Sequence, residues 1–136
     1  MKISAKAEYA CLAVLTLARH RPDDPPMRIR EIAGAHEIPE RYLVQILLQL
    51  KGAGLVTSTR GASGGYRLAR PAVNISLGEV LGAIDGPEEP FRESQQPAAQ
   101  ALALVWQHLR EAERAVLDQT SIAQLAERAS PHEWVI

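Results

Sequence analysis

At 136 residues the chain is long enough for one domain with a buried core and an appended helix, and its single cysteine excludes a disulfide framework. No apolar run approaches the roughly 20 residues of a membrane span, and the charged start does not resemble a signal peptide, so we expect a cytoplasmic protein. Residues 1–70 carry a net charge of +5 (11 basic, 6 acidic) and residues 71–136 one of −6 (4 basic, 10 acidic), which is typical of a chain whose first half alone meets a polyanion.

The first half predicts three helices. A first helix is expected over 4–20, with Ser4 as its N-cap. A second, short helix follows at 30–35. The third helix, over 39–51, is amphipathic and begins at Pro39, a residue favoured at the first helical position. Two short helices joined by a turn are typical of a helix-turn-helix, with residues 39–51 as the recognition helix.

A glycine-rich turn between two β-prone runs is the most informative segment. Residues 55–59 and 66–68 favour strands, and residues 60–65, which read RGASGG, favour a tight exposed turn. Arg60 and Arg67 place two cations beside the tip. A basic hairpin directly after a helix is typical of the wing of a winged helix-turn-helix, which contacts the DNA backbone or minor groove. An ordinary hairpin loop is the alternative interpretation.

The second half predicts further helices separated by a polar loop. Ser76 and Glu79 form the capping-box pattern of a short helix over 76–84. A loop rich in proline and glutamate follows at 85–97, and a long helix is expected over 98–119. A last short helix is expected to start near Ser121.

The long helix has an apolar stripe that one small domain can hardly cover. We expect the same helix of a second subunit to cover it and so to form a homodimer, while folding back onto its own domain is the alternative. The predicted interface residues are Leu102, Val105, Trp106, Leu109 and Val116.

Several segments together resemble the Rrf-two family of bacterial winged helix-turn-helix transcriptional regulators. The similarity includes KAEYA at 6–10, IPERYLVQ at 38–45, the wing RGASGGY at 60–66 and ISLGEV at 75–80, and it runs nearly end to end. It implies a mainly α fold with a small β-hairpin wing, and a repressor that binds a palindromic operator as a homodimer. The implied units are a winged helix-turn-helix domain at 1–84, a loop at 85–97, and a dimerisation helix with a terminal short helix at 98–136.

The resemblance also indicates which residues meet DNA. Side chains of the recognition helix would face the major groove, where Arg pairs with guanine and Gln with adenine at roughly 1–3 kcal/mol each. Basic residues near the first two helices would hold phosphates, and Tyr42 is equally compatible with a core position. The predicted DNA-binding residues are Lys2, Ser4, Lys6, Arg28, Arg30, Pro39, Glu40, Arg41, Tyr42, Gln45, Arg60, Gly61, Ser63, Gly64, Gly65 and Tyr66.

The loop before the long helix departs from the cluster-binding members of this family. They carry three cysteines there, whereas residues 86–97 contain none, and Ala103 stands where one branch has a histidine ligand. Because iron–sulfur clusters require thiolate ligands, we expect no cluster, no other metal and no cofactor. Glu8 matches a ligand position of some relatives, but one carboxylate is not a metal site. Cys11 is expected to be a buried, inert thiol, with redox sensing as the alternative.

The sequence offers no nucleophile–base pair, phosphate loop or paired catalytic carboxylates, so we do not expect an enzyme. The expected partners are double-stranded DNA, a second copy of the chain, and an effector that is either a small molecule or a protein, with no membrane. The rival hypothesis is a protein-interaction module whose acidic second half docks a metabolic enzyme, with weak or no DNA binding.

Overall fold

The computed structural model describes residues 2–129, and within that range the chain is mainly α-helical with one two-stranded antiparallel sheet. The end of the predicted 98–136 unit, beyond residue 129, lies outside the described residues. A short 3-10 turn at Ala72–Asn74 precedes the fourth helix. The elements are α1 (Ala5–Ala18), α2 (Ile29–Ala35), α3 (Glu40–Gly52), β1 (Val56–Thr59), β2 (Gly65–Leu68), α4 (Leu77–Asp85), α5 (Pro97–Gln119) and α6 (Ile122–Arg128).

Helix α1 lies in the centre of the core and packs against α2, α3, α4 and α6. Its N-cap is Ser4, as predicted, and the Ser4 hydroxyl accepts a hydrogen bond from the Ala7 backbone N–H at 3.0 Å. Small residues let neighbouring helices approach this helix closely, because alanine adds little volume at a helix contact. The buried residues of α1 are Ala7, Ala10, Ala13, Val14 and Leu17.

Helix α3 begins one residue later than the sequence predicted. Pro39 has a ψ of 125°, so it is the N-cap and not the first helical residue. Its carbonyl oxygen accepts hydrogen bonds from the N–H groups of Tyr42 and Leu43 at 3.0 and 3.1 Å, which is how an N-cap closes the first turn. One face of the helix is buried through Leu43, Ile46, Leu47 and Leu50.

The predicted hairpin is present, and its strands pair from Val56 with Leu68 to Thr59 with Gly65. Met27 extends the sheet, because its N–H and carbonyl both bond to the backbone of Tyr66, at 3.0 and 2.7 Å. A side chain at Gly65 would clash with the Met27 backbone. The segment before α2 is therefore hydrogen-bonded to the wing, and the absence of a side chain at Gly65 allows this close approach.

The predicted capping box at the start of α4 is confirmed. The Ser76 hydroxyl accepts the Glu79 N–H, and the Glu79 carboxylate accepts the Ser76 N–H, both at 3.1 Å. Arg70 pairs with Glu79 at 2.5 Å, and this hydrogen bond is the main cause that lowers the pKa of the Glu79 carboxyl. The cap thus ties α4 to the chain that leaves the wing.

Helix α5 joins the domain near its carboxyl end. The Leu77 N–H donates to the Thr120 carbonyl and the Ile122 N–H to the Ile75 carbonyl, both at 2.8 Å. None of the 23 residues of α5 is buried. Within residues 2–129, no helix is long and apolar enough to cross a membrane.

Candidate nucleic-acid interface

The wing and the amino-terminal half of α3 enclose a surface groove of about 780 Å³. Its charged lining residues are three arginines and one glutamate, so the lining carries a net positive charge. Eight of the residues predicted to bind DNA line this groove: Arg28, Arg30, Glu40, Arg60, Gly61, Gly64, Gly65 and Tyr66. A cationic groove attracts a polyanion, and the helix beside it can contact the bases of a bound duplex.

The face of α3 that points away from the core carries the side chains predicted to read bases. Arg41 and Gln45 are exposed and lie four residues apart, on one side of the helix. Tyr42 is 51% exposed, so its alternative placement in the core is wrong. Two large apolar residues, Val44 and Leu48, are also exposed on this helix.

Arg28 connects the wing to the start of α2. Its guanidinium Nη2 donates a hydrogen bond to the carbonyl oxygen of Ala62 at the wing tip. Its backbone N–H also donates to the Glu31 carboxylate, at 3.2 Å. A guanidinium has five N–H donors. Arg28 can therefore donate to the wing and still have N–H groups left to bind a phosphate.

Arg67, the second of the two cations predicted beside the turn, is engaged in hydrogen bonds to the backbone. Its two terminal nitrogens donate to the carbonyl oxygens of Pro22, at 3.3 Å, and of Asp24. These bonds brace the loop between α1 and α2 against β2. Of the two arginines flanking the turn, Arg60 is the exposed one that lines the groove.

The last glycines of the turn have a packing role. Gly64 is buried, and a side chain there would clash with the Thr59 carbonyl, while Gly65 faces Met27 as described above. Tyr66 is half-buried and packs against the core. Gly61 and Ser63 are the exposed turn residues of the predicted set.

The amino-terminal residues of the predicted set do not line the groove. The Ser4 hydroxyl caps α1 and donates to the Asp85 carboxylate at 3.2 Å, and Lys6 is half-buried on the first turn. Lys2 lines a different cavity, of about 450 Å³, between α5 and the loop after α4. A phosphate contact from these residues would therefore have to come from a separate part of the surface.

That loop is held to α5 by a contact the sequence did not reveal. The Arg110 guanidinium lies 3.6 Å from the centroid of the Phe91 ring and pairs with Glu88 at 2.7 Å. Cation–π contact and an ion pair on one guanidinium fix the loop against the helix. The only signal in the sequence was the lone phenylalanine in an otherwise polar loop.

The residues near this loop do not fit an iron–sulfur cluster. Residues 86–97 contain no cysteine, and Cys11 is half-buried on α1. Burial, followed by the nearby carboxylates of Glu8 and Asp85, raises the pKa of the Cys11 thiol to about 11. In the part of the chain between residues 2 and 129, no group of three or more His, Cys, Asp or Glu side chains is placed to hold a metal ion.

The residues predicted to form a dimer interface lie on α5 and are all exposed. The exposed fractions of the large apolar side chains of this helix run from 46% for Trp106 to 70% for Leu104. Because exposed apolar patches are typical of interaction sites, this stripe of α5 is a candidate contact surface.

Comparison with known proteins gives a consistent result. The family model Rrf2, described as an iron-dependent transcriptional regulator, matches residues 3–128. The chain is 40% identical to an HTH-type transcriptional regulator of Mycobacterium tuberculosis H37Rv over 137 residues, covering 96% of this chain and 84% of that protein. It is 36% identical to the regulator CymR of Bacillus subtilis over 128 residues, covering 93% and 90%.

Solved structures agree with these relatives. The structure of CymR, described as the global cysteine regulator of B. subtilis, matches with a TM-score of 0.82 and 33% identity over 96% of this chain and 99% of that one. IscR of T. potens matches with a TM-score of 0.82 and 29% identity, over 100% and 93%. These proteins are regulators rather than enzymes, and their fold confirms the predicted winged helix-turn-helix.

Proposed function

The chain belongs to the Rrf2 (Rrf-two) family of DNA-binding transcriptional regulators, and from this premise we propose that it is a homodimeric repressor that reads a palindromic operator through α3 and the wing. The observation that carries the proposal is the cationic groove between these two elements. Residues 1–84 would form the DNA-binding unit, and the site of action would be the cytoplasm.

We propose that α3 and the wing have different tasks. Arg41 and Gln45 project from the exposed face of α3, where they can pair with guanine and adenine edges in the major groove. Arg60 lies at the wing, where a guanidinium reaches phosphate or the minor groove and adds affinity without sequence information. Arg30 is exposed in the same groove and would add a second phosphate contact.

Two substitutions test this division. Arg60→Ala should weaken binding to all duplexes about equally and flatten the salt dependence by about one unit of slope. Gln45→Ala should cost roughly 1–3 kcal/mol on the cognate operator and little on random duplex. Titrations on an operator selected from genomic DNA and on random duplex, at several salt concentrations, measure both effects.

Arg92→Ala is the matched control, because Arg92 is exposed in the loop after α4 and does not line the groove. It should leave both affinities unchanged. An unchanged ratio of cognate to random affinity in Gln45→Ala would show that Gln45 does not read bases. Wild-type protein that binds duplex without any salt dependence would favour the interaction-module hypothesis over the regulator.

We propose that α5 forms the dimer interface. A helix of 23 residues is about 35 Å long, and a two-fold pairing of its apolar stripe would approach the roughly 1,000 Å² that a specific interface needs. A two-fold dimer presents two copies of α3, which matches a palindromic operator. The interface residues would be Leu102, Val105, Trp106, Leu109 and Val116.

We propose further that this member acts without an iron–sulfur cluster. The cysteine-free loop and the protonated state of the Cys11 thiol support this, because clusters require thiolates. The effector would then be a small molecule or a protein. The loop that Phe91 and Arg110 hold lies beside the proposed dimer helix, so an effector bound there would contact both the loop and α5.

A further inference from the structure

Val44 occupies an unusual position for an apolar side chain. It is 41% exposed and lines the groove between α3 and the wing, whose charged lining residues are three arginines and one glutamate. The core face of α3 is complete without it, since Leu43, Ile46, Leu47 and Leu50 are all buried. Valine is also a weaker helix former than the straight-chain residues found at other exposed positions of α3.

The surroundings of Val44 decide what kind of partner its methyl groups can meet. A protein partner would be expected to bring apolar surface, but three guanidinium groups in one groove favour a polyanion. The thymine C5-methyl group is the apolar feature that base edges present in the major groove. If this groove binds DNA, the thymine methyl group is therefore the specific apolar contact available to an exposed valine.

We propose that Val44 is a specificity-determining residue that reads a thymine of the operator through its C5-methyl group. Arg41, Val44, Gln45 and Leu48 lie at spacings of three, four and seven residues, on one face of α3. An A·T pair presents the adenine edge that Gln45 can bind and, on the other strand, the thymine methyl. Val44 and Gln45 are consecutive and lie about 100° apart around the helix, toward opposite sides of Arg41, so they would read the same or adjacent A·T pairs. This inference rests on the proposed function.

Replacing thymine by uracil tests the contact, because it removes the methyl group and keeps the base pair. The operator is selected from random duplex with wild-type protein, and each thymine is then replaced by deoxyuridine, symmetrically in both half-sites. For wild-type protein, one such position should weaken binding by about fourfold per half-site, as burial of one methyl group predicts. Val44→Ala should bind the thymine operator more weakly and should lose its sensitivity to uracil at that position alone.

Two control variants keep the result interpretable. Val73→Ala removes the same atoms from a valine that is 66% exposed in the 3-10 turn before α4, outside the groove, and it should respond to uracil as wild type does. Val44→Ser, which is short and polar, should behave as Val44→Ala does. Circular dichroism of each variant confirms that the fold is retained.

The inference is overturned if wild-type protein tolerates uracil at every thymine, or if Val44→Ala keeps the wild-type ratio of thymine to uracil affinity at each position. Failure of the proposed function gives a different result. In that case no sequence is enriched in the selection, and wild-type protein binds all duplexes alike.

Discussion

At the scale of single residues, Cys11 shows how position decides chemistry. Burial is the largest cause of its raised pKa, and the carboxylates of Glu8 and Asp85 act in the same direction. With a pKa of about 11, roughly one molecule in ten thousand carries the thiolate at pH 7. The thiolate is the form that ligates metal and reacts with oxidants, so the only thiol of the chain is in its inert form.

The proposal that this protein binds no iron–sulfur cluster can be tested by metal analysis. Protein purified without oxygen is expected to contain neither iron nor acid-labile sulfide in stoichiometric amounts, because the single cysteine of the chain cannot supply the several thiolates that a cluster requires. Cys11→Ala serves as the control and should bind DNA as wild type does, before and after peroxide treatment. Stoichiometric iron and sulfide on elemental analysis would contradict the prediction.

At the scale of elements, the wing is positioned by close backbone contacts. Met27 pairs with Tyr66 on one side of the hairpin, and Arg28 bonds to the carbonyl of Ala62 at the tip. Both contacts join the wing to the start of α2, so the wing and the helix-turn-helix form one unit. Gly65 is where this junction leaves no room for a side chain.

Gly65→Ala should consequently destabilise the protein by about 1–3 kcal/mol, the usual cost of forcing extra volume into a packed site. Gly82→Ala is the matched control, because Gly82 lies within α4 and a Cβ there would meet nothing within 4 Å. Alanine at this helical position should stabilise by roughly 0.5–1 kcal/mol. Urea unfolding measures the change in the free energy of unfolding of each variant. If Gly65→Ala and Gly82→Ala changed it by the same amount, the close contact with Met27 would not be what destabilises Gly65→Ala.

The same elements show what the sequence could and could not predict. The Ser76–Glu79 capping box, the Ser4 cap and the hairpin depend on residues a few positions apart, so local patterns predicted them. The bond from Arg28 to Ala62 spans 34 positions and that from Ser4 to Asp85 spans 81. Such contacts are set by tertiary packing, and an arginine or serine that makes one has the same sequence signature as one that binds phosphate.

At the scale of the whole molecule, charge and apolar surface are separated. The basic half of the chain, at +5, holds the groove, and the acidic half, at −6, holds α5. The acidic half would be repelled by DNA, which orients the proposed complex with the groove toward the duplex. In this proposed complex the apolar stripe of α5 faces away from the duplex, where a second copy could pack against it.

The proposed dimer gives the last prediction. Leu102 and Leu109 are 53% and 51% exposed on α5, so replacing both by glutamate should spare the fold and place like charges across the two-fold interface. The double variant should sediment as a monomer and bind the operator weakly, because each half-site is then bound alone. Val73→Glu is the control, since it adds one of the same charges at an exposed apolar position outside α5 and should leave the dimer intact. A double variant that still sediments as a dimer would show that the exposed stripe of α5 does not join the subunits.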